Sequence, residues 1–167
     1  HQIDDDRSLE IPSAMNIVGD PGVPKEEIVV VGGIWFKGRI RGNHRFPNPN
    51  CHLQHLTLRQ AEGSGVVGES SFTMKDVLVE QCGGSGVRAQ WPGVVGRCTN
   101  VEVRQCRWSG VKADEGASIT LIGTKTTVHH NCTTGVSHEY GLKVWGSSST
   151  IQLVSPLTKE HVSLGNY

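Results

Sequence analysis

The chain is poor in most of what usually announces a function. Aromatic residues make up 5% of its 167 positions, and sixteen basic residues cancel sixteen acidic ones. With no net charge, no global field draws it toward nucleic acid or a membrane surface. No apolar run approaches the length of a bilayer span, so membrane insertion is not expected. No charged-then-apolar secretory leader is visible either. The chain opens at His1 rather than Met, as expected of a processed product or a piece cut from something larger. Apolar residues at helical spacing are missing throughout, which argues against a helical domain.

Five cysteines are an odd number, so at least one is unpaired within the chain, and the dense disulfide framework of a small secreted domain is excluded. Cys51 and Cys98 lack zinc-type spacing. His129, His130 and His138 are the other candidate ligands, but adjacent residues on a strand point to opposite faces. No metal or cofactor is therefore expected. Thr57, Thr73 and Thr127 form no regular grid of the kind an ice-binding face needs.

What the chain does have is glycine, 21 of them, and a repeat. "VEQCGGSGVRA" at 79–89 returns as "VRQCRWSGVKA" at 103–113, and two further segments align with these. Leu56, Val77, Val101 and Thr126 open the four units, and Leu58, Val79, Val103 and Val128 follow two residues later. The fourth unit offers two Gly-apolar pairs, Gly135-Val136 and Gly141-Leu142. The second is preferred because "GLKVWGSSSTIQLV" continues like "GVKADEGASITLI", which makes 132–140 an enlarged loop. Glycines 65, 86, 110 and 141 are then 21, 24 and 31 residues apart. They are read as bends that use backbone angles other residues avoid.

Within each unit apolar residues alternate, which predicts a strand with one face buried. A second short strand follows the glycine at 66–67, 87–89 and 111–113. A third is expected at 72–74, 94–95, 119–121 and 151–153. Ile34 and Phe36 lie 22 residues before Leu56 and Leu58 and are expected to begin an earlier coil, interrupted by a Pro- and Asn-rich loop at 43–51. Three short strands in units of 21 to 31 residues describe a solenoid. The expected fold is all-β: a right-handed parallel β-helix of about six coils forming one domain over 1–167. An entry coil or cap occupies 1–30, repeat coils occupy 31–157, and 158–167 starts a further coil that breaks off.

These repeats resemble the right-handed parallel β-helix superfold of pectate lyases, polygalacturonases and phage tailspikes. With "SLEIPSAMNIVGD" followed by "IVVVGGIWFKG" at the entry, the chain is more narrowly similar to the multi-copy β-helix repeat proteins of marine algae and their viruses. The resemblance covers nearly the whole chain and implies a fold, since this superfold hosts unrelated functions.

Stacked coils place equivalent residues about 4.8 Å apart, so side chains act in columns. Leu58, Val79, Val103 and Val128 read as core. Ala61, Cys82, Cys106 and Asn131 form the next inward column; the two cysteines read as buried thiols, since parallel side chains suit a disulfide poorly. Asn131-Cys132-Thr133 is a glycosylation sequon, but its inward position argues against use. Arg59, Glu80, Arg104 and His129 form an outward ladder of alternating sign.

The column Val67, Arg88, Lys112, Lys143 stacks three cations that repel one another. It needs Asp114, Glu115 or Glu80 nearby, or an anionic ligand. Arg88, Lys112 and Lys143, with Trp145 at one end, are therefore the candidate ligand-binding residues. They suggest a non-catalytic binding or structural module for an extended acidic polysaccharide. Trp35, Trp91 and Trp108 are the remaining tryptophans, each a sugar platform or a cover for a coil corner.

Two alternatives stand beside this reading. His138, Tyr140 and Lys143, brought together by the enlarged loop, could abstract the C5 proton of a uronate. That set loosely resembles the His/Tyr/Arg equipment of β-helical alginate epimerases and lyases. However, the paired Asp motifs of polygalacturonases, the calcium-binding acidic cluster of pectate lyases and the Asp-Pro-His-Glu signature of mannuronan epimerases are absent. The other alternative is a pure assembly element that self-associates, or takes a capping partner, at its solenoid ends.

Overall fold

The computed structural model of the chain describes residues 8–41, 44–46, 50–135 and 137–166. The fold is all-β apart from one short helix, Lys159–Val162, and its two main sheets are parallel throughout, as in a parallel β-solenoid. The first sheet stacks six strands in the order Ser8–Ile11, Gly33–Phe36, Val66–Gly68, Val87–Gln90, Val111–Asp114 and Leu142–Trp145. The second has ten strands. Asn16–Val18 and Val29–Val31 both pair with the long strand Cys51–Arg59, which pairs with the long strand Phe72–Glu80. From there two series run on, Val95–Thr99, Ser118–Ile122 and Thr150–Leu153 in one, Glu102–Arg104, Thr127–His129 and Ser163–Leu164 in the other.

The repeat is the origin of this register. Val79 pairs with Leu58 on one side and Val103 on the other, and Val103 pairs with Val128. All four are buried, as their alternation predicts. Val111 pairs with Leu142, which confirms Gly141-Leu142 as the fourth unit's pair and 132–140 as the enlarged loop. Ala61, Cys82, Cys106 and Asn131 are buried in the next column, and all five cysteines are buried free thiols.

The bends are made differently from the expectation. Glycines 65, 86, 110 and 141 do not have positive φ. The left-handed residues are Gln60, Gln81, Gln105 and His130, at φ 57°, 56°, 57° and 53°, the first three each five positions before a repeat glycine and His130 eleven before Gly141. Each carries its N–H onto the next coil, as from Gln81 N to the Arg104 carbonyl at 3.2 Å, and this inter-coil bonding offsets the strain of the conformation. His55, Asp76 and Asn100 turn the second sheet at φ 54°, 53° and 52°. The repeat glycines are needed for space instead. A Cβ on Gly65 would stand 2.8 Å from the Gly86 carbonyl oxygen, and one on Gly86 would stand 2.7 Å from that of Gly110.

Three further expectations are corrected. Ile34 pairs with Val66, not with the Leu56 column, because 39–50 lengthens that coil and places Gly33–Phe36 in the first sheet. In place of a loop at 43–51, His44–Phe46 pairs antiparallel with Arg39–Arg41 and Cys51 begins a strand; residues 42–43 and 47–49 lie outside the described residues. The strand expected at 94–95 is Val95–Thr99, whose inward residues are Gly96 and Cys98. Gly96 is small because the Phe72 ring lies over it, and a glycine hides the alternation. Residues 1–7 of the entry coil lie outside the described residues. At the other end Ser163–Leu164 pairs with Thr127–His129, so a further rung does begin there.

Asn131 closes the interior at the last complete corner. Its side-chain oxygen accepts from Cys106 N at 3.1 Å, and its amide nitrogen donates to the Val103 and His129 carbonyls, each at 3.1 Å. Asn166 repeats the device one rung on, donating to the Val128 carbonyl at 3.0 Å and accepting from the Asn131 amide at 3.0 Å.

Candidate functional site: the outer face of the first sheet

Outward residues of the six-stranded sheet fall into two columns. Register places Glu10, Trp35, Val67, Arg88, Lys112 and Lys143 in one. The second holds Gln90, Asp114 and Trp145 in successive rungs. The basic column of the sequence therefore exists in the expected order, but its cations are not left to repel one another.

Asp114, only 3% exposed, sits between two of them. Its Oδ2 accepts from Arg88 Nη2 at 2.7 Å and from Lys112 Nζ at 3.0 Å. Burial pushes the Asp114 carboxyl up, but hydrogen bonds from Lys112 and Arg88 outweigh it and hold the group below its ordinary range. It stays charged at neutral pH. Lys143 is held separately, with Nζ 2.6 Å from Glu139 Oε1. Glu139 Oε2 accepts from the Ser109 hydroxyl and, at 3.0 Å, from the Ser109 backbone N–H. Burial raises the Glu139 carboxyl, and the bonds from Lys143 and Ser109 bring it below its usual value. This clamp pins the enlarged loop down on the preceding corner.

Trp145 is 60% exposed and lies on the last strand of the sheet, with Lys143 Nζ 5.9 Å from its ring centroid. His138 and Tyr140 are both exposed, Tyr140 at 58%, and among the described residues only the Tyr140 backbone is engaged, its N–H donating to Ser109 Oγ at 3.3 Å. Tyr140 borders a hollow with Glu139, Leu142 and Asn166 that includes neither His138 nor Lys143. Among the described residues no three His, Cys, Asp or Glu side chains are grouped as a metal site requires. His129 and His130 nevertheless touch, Nδ1 to Nδ1 at 2.8 Å. His130 leaves the strand at positive φ, so the alternation that separates neighbours no longer applies.

The feature that columns alone do not reveal is a cleft of about 290 Å³ at the other end of this face. Trp35 and Trp108 both line it, with Arg88, Gln90, Glu62 and Ser64 between them. The strands supply Trp35, Val67, Arg88 and Gln90. Facing them are the stacked corners that precede the repeat glycines. Gly84 N donates to the Gly63 carbonyl at 2.7 Å, and Trp108 N donates to the Gly84 carbonyl at 3.2 Å. Gly63 and Gly84 thus lie in one stack with Trp108. Two positions without side chains open the trough, and the indole, 49% exposed, stands at its end. Lys37 Nζ lies 3.3 Å from the Trp35 ring centroid and also pairs with Glu10 at 2.9 Å, fixing the indole from outside.

Of the four residues the sequence offered as ligand-binding, Arg88 alone lines this cleft, together with two of the other tryptophans; Lys112 lies beside it through the shared Asp114, and Lys143 and Trp145 lie further along the sheet. Trp35, Trp108 and Glu62 were not combined by sequence reasoning. The signal for them was present, since "EGSG", "CGGSG" and "CRWSG" align Trp108 with the second glycine of the preceding unit. No protein-family model matches the chain, and neither a curated protein nor a solved structure is similar to it at a significant level.

Proposed function

We propose that the chain is a right-handed parallel β-helix of about six coils acting as a non-catalytic binding module for an extended polysaccharide. The right hand is supported by the strong preference of parallel crossover connections, and the coil number by the six strands of the first sheet. One observation carries the ligand class: the open cleft that combines Trp35 and Trp108 with Arg88, Gln90, Glu62 and Ser64. Sugars need this mixture, an aromatic face for their C–H surfaces and a few convergent polar groups for their hydroxyls. Successive rungs advance by about 4.8 Å, close to the advance of one pyranose in an extended chain, so the cleft's groups repeat in step with such a polymer. The column Arg88, Lys112, Lys143, with Trp145 beyond it, would continue the contact along the face, and its sign first suggests an acidic polymer.

The test is a glycan array at low and physiological salt, probed with the native chain and with Trp108→Ala, followed by product analysis on every glycan bound. The expected result is binding that Trp108→Ala weakens at least about tenfold, or ~1.4 kcal/mol, with no turnover. Binding to no glycan overturns the reading. Release of new chain ends or unsaturated products supports instead the uronate-processing reading through His138, Tyr140 and Lys143.

A second reading, self-association or a capping partner at the solenoid end, draws on the last rung. There Val144, in register with buried Ala113, is 49% exposed. An unpaired strand edge over apolar residues invites strand addition. Sedimentation across a concentration series tests it, and a strictly monomeric chain would remove the self-association form of this reading.

A further inference from the structure

We propose that His129 and His130 form an open metal site, a right-angled pair of imidazole ligands suited to Cu(II). The site lies on the second sheet, not on the face that carries the cleft, and stands independently of the glycan reading. Neighbours on a strand point to opposite faces, but His130 leaves its strand at φ 53°, and the two Nδ1 atoms come to 2.8 Å. The same left-handed bend follows Arg59, Glu80 and Arg104, at Gln60, Gln81 and Gln105. Only in the fourth unit do both positions of that corner carry imidazoles.

The spacing selects the ion. Imidazole nitrogens that bind a first-row ion at about 2.0 Å lie about 2.8 Å apart at a right angle and about 3.3 Å apart at a tetrahedral one. The observed 2.8 Å is that of the right-angled pair, which tetragonal Cu(II) and Ni(II) use and four-coordinate Zn(II) does not. Of these ions Cu(II) binds nitrogen donors most tightly. The torsion that turns an imidazole is soft, so both rings can face one ion without moving the backbone.

Glu102 prepares the first donor. Its Oε1 lies 3.1 Å from His129 Nε2. An ionised carboxylate only accepts, so Nε2 carries the proton and Nδ1 keeps its lone pair. A carboxylate behind a ligating imidazole orients it and raises its basicity. Arg104 Nη1 holds the same oxygen at 3.0 Å and offsets its charge. Without an ion, His130 Nδ1–H donates to the His129 lone pair; with one bound, that proton moves to His130 Nε2. The next rung sets Gly165 against His130, and even a Cβ there would stand 3.4 Å from Nε2. His130 is exposed and His129 keeps 24% of its side chain in solvent. Among the described residues no third His, Cys, Asp or Glu closes the site, so water or an added ligand completes the shell.

The experiment is equilibrium dialysis of the full chain against Cu(II), Ni(II) and Zn(II), with EPR of the Cu(II) form to count coordinated nitrogens. The test substitutions come from the other coils, where the same corner folds with Arg and Gln: His129→Arg and His130→Gln. The native chain is expected to bind Cu(II) with a tetragonal signal from two imidazole nitrogens. Each of the two variants should bind it at least about tenfold more weakly. Glu102→Ala, acting through His129, should lower the affinity about tenfold and leave the two-nitrogen signal in place. Cu(II) binding that survives both histidine variants belongs to another of the eight histidines and overturns the assignment. Zn(II) binding as tight as Cu(II) overturns the right-angled geometry. No Cu(II) bound at about 1 mM, the weakest affinity worth assigning to a site, overturns the proposal outright.

Discussion

A Cβ placed on Gly65 would stand 2.5 Å from the Cγ1 methyl of Val79 and 2.9 Å from Cys82 Sγ. The repeat glycine of one coil is the floor on which the core side chains of the next coil rest. Its role is the absence of a side chain and not a special backbone angle.

Gly65→Ala should therefore behave as an overpacked core substitution, destabilising by about 1–3 kcal/mol or more. Gly93, by contrast, has φ +82° and nothing within 4 Å of an added Cβ, so Gly93→Ala should lose only the conformational preference, about 1 kcal/mol. Urea unfolding of the two variants checks the order. A Gly65→Ala loss equal to or smaller than that of Gly93→Ala would contradict this packing role.

Glu80, 2% exposed, accepts from Arg59 Nε at 2.5 Å and from Arg104 Nη2 at 2.8 Å. Burial raises its carboxyl, but the two guanidiniums outweigh burial and lower it. A depressed folded pKa means the unfolded chain binds the proton more readily. The stabilisation is then complete above the ordinary value of 4.5 and is lost as pH falls through the lower folded value. Stability should decline below about pH 4.5 in the native chain, and Glu80→Gln should flatten the decline. The same variant should lose about 1–3 kcal/mol at neutral pH, discounted from a fully buried pair because both arginines are a third exposed. Urea midpoints from pH 7 to pH 3 measure both effects.

His55 is held at both ring nitrogens, Nδ1 to Asp76 Oδ2 at 2.6 Å and Nε2 to the Val23 carbonyl at 2.9 Å. Both partners accept, so the doubly protonated ring is favoured. The bond to Val23 and then the bond to Asp76 raise its pKa. The sign is opposite to that of Glu80: this contribution is fully present below the ordinary 6.5 and is lost as pH rises through the raised folded value. An NMR titration of the imidazole should place its midpoint above 6.5, and Asp76→Asn should bring it down. A midpoint at or below 6.5 in the native chain would refute the assignment.

Asn131 has 0% exposure and satisfies groups on three corners of the chain. Asn131→Ala would leave Cys106 N and the Val103 carbonyl without those partners, at a loss of about 1–3 kcal/mol. Secretion through a glycosylating host should leave the Asn131-Cys132-Thr133 sequon unmodified, as intact mass would show.

Much of the architecture was legible because a stacked coil repeats its environment. Val79 and Val103 face the same way, so the repeat revealed the core columns, the register and the choice of Gly141 over Gly135. Asp114 was also legible as a counter-ion, since three stacked cations demand one. Asn166 was missed because 35 residues separate it from Asn131, across an enlarged loop, a short helix and an irregular last coil. The hairpin within 39–46 was missed for a related reason: it is an insertion that no other coil echoes.

By itself the sequence determined which residues share a column, because period-two alternation and a recurring unit leave the backbone one way to bury its apolar face. Only the tertiary structure decided what those columns mean. Trp35 and Trp108 are 73 residues apart in coils of unequal length, and whether they line one cleft depends on how the corners stack above the sheet. Whether Arg88, Lys112 and Lys143 offer charge to a ligand likewise depended on where Asp114 and Glu139 come to rest. Columns follow from local spacing, whereas clefts and charge balance are sums over side chains that meet only once the coil is wound.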